Sequence, residues 1–138
     1  MRLVIDTMVV SGLLWLGNPG RLLEVAALGQ VTLYTSPALL AELATTLATP
    51  KLARTTIRSG LTLDDLLARY ANVAIVVQPA TVPRVVPNDP DDDQVIAAAV
   101  EARADLIVSG DQDLHALGGS YNGIRIVTPT QAMQLIGG

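Results

Sequence analysis

Two short runs of branched apolar residues end near a carboxylate. Arg2-Leu3-Val4-Ile5 is ended by Asp6, and Asp105-Leu106-Ile107-Val108-Ser109 has Gly110-Asp111 at its C-terminal end. Runs this short, with no polar side chain inside them, suit strands buried on both faces, the usual condition in a parallel sheet. Further strands are expected at Val31–Tyr34, Val73–Val77 and Ile124–Val127. Between them the pattern is helical. Ser36-Pro37 is a start signal, with Ser as N-cap and Pro at the first helical position, for a helix from Ala38 to Leu47. Strands alternating with helices predict an α/β fold, a mainly parallel sheet covered on both faces. In such sheets ligands sit beyond the C-terminal ends of the strands.

The connecting stretches complete the expected order. Met8–Trp15, Arg21–Leu28 and Lys51–Arg58 read as helices, with a break at Gly17-Asn18-Pro19-Gly20. Thr62-Leu63-Asp64-Asp65 opens another, running to Tyr70. A proline-rich loop spans Pro79–Pro90, and an Ala-rich helix follows to Arg103. Leu114–Leu117 is a helical turn, Gly118-Gly119 a loop, and Thr130–Ile136 a short final helix. The 138 residues suit one domain over residues 1–138, with no internal repeat or composition shift.

The Ala-rich helix opens with Asn88-Asp89-Pro90-Asp91-Asp92-Asp93, the densest group of acids in the chain. Capping accounts for one or two of them. Neighbouring anions repel, and a hard divalent cation such as Mg2+ or Mn2+ relieves that repulsion by taking several carboxylate oxygens at once. Asp6 and Asp111 stand at strand ends. Glu42 and Asp91–Asp93 stand near helix starts, so all can reach the same edge of the sheet. One or two such cations suit phosphodiester or phosphate-ester hydrolysis. Both Asp92 and Asp93 can point inward, because the helix behind them is apolar almost all round. Asp64 and Asp65 read as caps, and Glu101 and Asp105 as solvated.

Other chemistries lack their residues. There is no cysteine, so there is no thiolate nucleophile and no disulfide framework. His115 is the lone histidine, which excludes a zinc site of several histidines and reads as a surface or loop residue. Neither a G-x-S-x-G elbow nor a phosphate-binding G-x-x-x-x-G-K-[ST] loop is present. The net charge of -4 argues against broad electrostatic attachment to nucleic acid, and 3% aromatics argue against a stacking platform. Any nucleic acid is expected to be held locally, by Lys51, Arg54 and Arg58. No apolar run has the length of a membrane span and no secretory leader is evident, so a cytoplasmic protein is expected. Leu13, Leu14, Trp15 and Leu16 form an apolar group that suits either the core or a protein-contact surface.

In their order the acids resemble those of the PIN-domain ribonucleases, and more narrowly the VapC-like toxins of type II toxin–antitoxin pairs. The carriers are Ile5-Asp6-Thr7, Glu42 inside the early helix, Asp93 before Gln94-Val95-Ile96-Ala97-Ala98-Ala99, and Ser109-Gly110-Asp111-Gln112-Asp113. The resemblance implies a three-layer α/β/α sandwich and Mg2+- or Mn2+-dependent cleavage of RNA. Asp6, Glu42, Asp93 and Asp111 would be the catalytic metal ligands, with Thr7, Asp92, Ser109 and Asp113 supporting them. It further implies a cognate antitoxin and a homodimer. One position departs: many members carry Asn two places after the first Asp, and here that residue is Met8. Rival readings are a metal-dependent phosphatase or DNA nuclease on the same acids, and a catalytically weak domain that works through protein contacts.

Overall fold

The structure, a computed structural model, describes residues 1–10, 26, 29–48, 63–86 and 89–137. Its elements are β1 (Arg2–Ile5), β2 (Thr32–Thr35), α1 (Pro37–Leu47), α2 (Leu63–Val73) and β3 (Ala74–Val76), then α3 (Pro90–Ala102) and β4 (Leu106–Val108). The chain closes with α4 (Gln112–His115), β5 (Ser120–Tyr121), β6 (Ile124–Val127) and α5 (Pro129–Gly137). The helix expected from Met8 is helical as far as Val10. Its remainder, the Gly17–Gly20 break, the Leu13–Leu16 group, most of the helix expected over 21–28, and the stretch with Lys51, Arg54 and Arg58 lie outside the described residues.

The six strands form one sheet in the order β3-β2-β1-β4-β6-β5, parallel except at β5. β1 pairs with β2 on one side and β4 on the other, Val4 facing Tyr34 and Ile107. The chain order reverses at β1, so the crevice beyond its C-terminal end is the topological switch point, where ligands of such sheets bind.

Side chains alternate across each strand and divide the core in two. Leu3, Ile5, Leu106, Val108 and Val127 enter one cluster, with Leu43, Leu47, Tyr70 and Ala132 from α1, α2 and α5. Val4, Ile107, Ile124 and Ile126 enter the other, with Val95, Ile96, Ala98 and Ala99 of α3 and Leu114 of α4. This is the three-layer α/β/α arrangement. Each fully buried leucine or isoleucine contributes about 1.5–3 kcal/mol, so each apolar strand is held on both faces.

Local signals set the helix starts that matter for the site. Ser36 caps α1, its Oγ accepting from the Leu39 amide at 3.2 Å. Asp89 caps α3, with Pro90 in its first turn. Asp111 caps α4, accepting from the Asp113 amide at 2.8 Å. That cap starts the helix at Gln112, two residues earlier than expected. The β5–β6 hairpin also departs from expectation: Asn122 and Gly123, both at positive φ, turn the chain after the Gly118-Gly119 loop. Asp105 and Glu101 are anchors, accepting from the backbone amides of Arg2 and Ala80.

Candidate metal centre

Asp6 follows β1 and is 5% exposed. Its Oδ1 accepts from the Val9 amide at 3.0 Å, which fixes the helical turn behind it. Its Oδ2 accepts from the Ser109 hydroxyl in a short hydrogen bond. The Ser109 oxygen in turn accepts from the Asp111 amide at 2.9 Å. One buried hydroxyl therefore ties together the ends of two adjacent strands, and with them two of the expected acids. Burial pushes the Asp6 carboxyl above its ordinary range and nearby Asp111 adds to the rise, against the hydrogen bonds from Ser109 and Val9.

Glu42 faces this crevice from α1. Loss of water pushes its carboxyl up to about 7; Asp91, Asp6 and Asp89 add to that, while a hydrogen bond from Thr7 opposes it. Thr7 is buried and holds Glu42 beside the strand end.

The consecutive acids of α3 divide their work. Asp93 is buried, and its Oδ1 accepts from the amides of Val85 and Val86 at 2.9 and 2.8 Å. It fastens the proline-rich loop to the first turn of the helix. Asp92 turns instead toward the strand ends. Desolvation comes first, then Asp111, Asp89 and Asp6, in pushing its carboxyl up to about 8. It is 5% exposed, and its Oδ2 is buried with no hydrogen-bond partner. The resemblance favoured Asp93 for this place; the geometry brings Asp92 among the other acids.

Asp89, Asp92, Asp111 and Asp113 each offer a carboxylate oxygen, all within 4.8 Å of one another. Sequence reading passed over Asp89 as a member of this group. Its signal was the spacing: residues three apart share a helix face, so Asp89 at the cap and Asp92 in the first turn stand together. His115 is half-buried, and its Nε2 lies 2.7 Å from the Ser109 carbonyl oxygen.

The donor set fits a hard divalent cation. It is all oxygen, its charges face one another, and a buried carboxylate oxygen lacks any hydrogen-bond partner. The raised carboxyls of Asp6, Glu42 and Asp92 point the same way, because only protons or a cation relieve the repulsion.

Residues 2–113 match the family described as PIN domain. The uncharacterized protein MJ1680 of Methanocaldococcus jannaschii is 31% identical over 137 residues, spanning 94% of this chain and 86% of that protein. No solved structure matches the chain.

Proposed function

This chain belongs to the PIN domain family, and from that premise we propose that it is a divalent-metal-dependent endoribonuclease. PIN domains are typically metal-dependent nucleases. The observation that carries the reading is the unpartnered, buried Asp92 Oδ2, set among acids brought from separate parts of the chain. Asp6, Asp92 and Asp111 would hold the ion, Glu42 completes the set from α1, and Asp89 and Asp113 widen it. When bound, Mg2+ or Mn2+ supplies Lewis-acid polarisation of a phosphodiester oxygen and of the attacking water.

The chain's own groups supply the rest. Ser109 and Thr7 orient Asp6 and Glu42, as residues behind metal ligands do. Glu42, held near neutrality by burial, is suited to accept a proton from water at the edge of the site. Asp93 has both of its recorded hydrogen bonds in the loop and acts as an anchor.

RNA as substrate rests on the resemblance in the acid pattern, as do the role of toxin in a toxin–antitoxin pair, a cognate antitoxin and a homodimer. The experiment that tests substrate class offers single-stranded RNA, single- and double-stranded DNA and an aryl phosphate in parallel, with Mn2+ and with chelator. Metal-dependent cutting of RNA alone, lost in Asp6→Asn, supports the reading. Turnover of the aryl phosphate or of DNA in preference to RNA would replace it with a phosphatase or a DNA nuclease.

A further inference from the structure

A cavity of about 340 Å³ opens beside the acids, lined by Asp6, Met8, Val9, Gly110 and Asp111. Two of these residues are proposed cation ligands; Met8 and Val9 are apolar and Gly110 bears no side chain. The size lies at the lower end of the roughly 300–1,000 Å³ typical of small-ligand pockets, suited to one nucleotide unit rather than a duplex.

Met8 is the anomaly. It is 68% exposed, more than any other large apolar side chain among the described residues. It stands in the first turn after Asp6, where the Asp6 carboxylate caps the Val9 amide at 3.0 Å and fixes the backbone between them. A thioether is a soft ligand and a poor match for a hard cation, so Met8 adds nothing to metal binding. It does make a polarisable, adaptable contact with aromatic rings. Among the described residues this lining contains no aromatic residue. A β-carbon built on Gly110 would meet nothing within 4 Å, so the space over this part of the lining is open.

We infer that this cavity seats a nucleobase next to the scissile phosphate, with Met8 as the apolar wall that the base packs against. The inference rests on the nuclease reading. A phosphodiester over Asp6 and Asp111 carries its adjoining base to within reach of a side chain two residues from Asp6. Met8 thus gives an acidic, aromatic-poor protein a base contact that is not electrostatic.

The test measures binding, not turnover. A fluorescein-labelled RNA of random sequence and an abasic ribose-phosphate oligomer of equal length are titrated with protein in Ca2+, read by fluorescence anisotropy. The wild type should bind the base-bearing oligomer about 3–10-fold more tightly than the abasic one. Met8→Asn should bring that ratio close to one, whereas Met8→Leu, which keeps the apolar volume, should keep most of it. The same ratio in Met8→Asn as in the wild type would overturn the assignment while leaving the nuclease reading intact. Binding of neither oligomer by the wild type would overturn both.

Discussion

Replacing Asp92 by Asn tests the candidate centre without any substrate. In the metal-free protein the Asp92 carboxyl is pushed from 3.8 to about 8, by burial and by Asp111, Asp89 and Asp6. Each pH unit between folded and unfolded values corresponds to about 1.36 kcal/mol, so ionising this group in the fold near pH 8 costs at most roughly 6 kcal/mol. Asp92 interacts closely with Asp111 and the rim of the site meets solvent, which reduces the expected figure to about 2–3 kcal/mol. The sign follows from proton counting. The folded state holds protons that the unfolded chain has released, so stability is full below about pH 4 and is lost as pH rises through 7 to 8. Asp92→Asn removes that loss. For a chain of 138 residues, about 3–5 °C per kcal/mol gives a rise in Tm of roughly 6–15 °C near pH 8, and a much smaller rise near pH 5. Divalent metal should close that gap, because an ion at about a hundredfold its Kd adds about 2.7 kcal/mol to the wild type and much less to the variant. Differential scanning calorimetry at both pH values, with chelator and with Mn2+, reads all four conditions. A variant that melts at or below the wild type near pH 8 in chelator would refute the reasoning.

Three further outcomes are expected. Asp93→Ala leaves the Val85 and Val86 amides without their acceptor and should destabilise the protein by about 2–4 kcal/mol in urea unfolding; a loss under 1 kcal/mol would show that the loop does not depend on it. Ser109→Ala frees Asp6 Oδ2 and the Asp111 amide together, and should weaken Mn2+ binding by about 10–100-fold in calorimetric titration; unchanged affinity would remove Ser109 from the site. Arg103 ends α3 at φ 53°, a left-handed conformation that glycine adopts freely, so Arg103→Gly should leave stability unchanged or raise it by up to about 1 kcal/mol in the same urea assay.

The strands were legible where burial is two-sided. β4 and the Leu3–Ile5 part of β1 are buried on both faces, so their sequences reduce to apolar runs with definite ends, and β6 breaks its run only at exposed Arg125. The start of α1 was legible because Ser36 and Pro37 do different jobs at adjacent positions. β5 was not, because two residues between glycine-rich turns carry no periodicity, and only pairing with β6 makes them a strand. α2 runs to Val73, into the stretch expected to be strand, because Val73 packs on the core from the helix side.

The site divides in the same way. Asp6, Glu42 and Asp111 stood out through their relation to strand and helix ends. The choice between Asp92 and Asp93 did not, because Val95, Ile96, Ala97, Ala98 and Ala99 are all buried and make most of the helix behind the first turn apolar. What separates the two acids is a pair of loop amides eight and seven residues upstream, which claim Asp93. Such a contact depends on the path of the loop, and that path is set by the tertiary fold.

The most direct measurement is a Mn2+ titration by isothermal calorimetry of the wild type, Asp92→Asn and Asp93→Asn. The account predicts binding to the wild type, a loss of at least tenfold in affinity for Asp92→Asn, and near wild-type affinity for folded Asp93→Asn. Wild-type affinity in Asp92→Asn, with binding abolished in a folded Asp93→Asn, would contradict it.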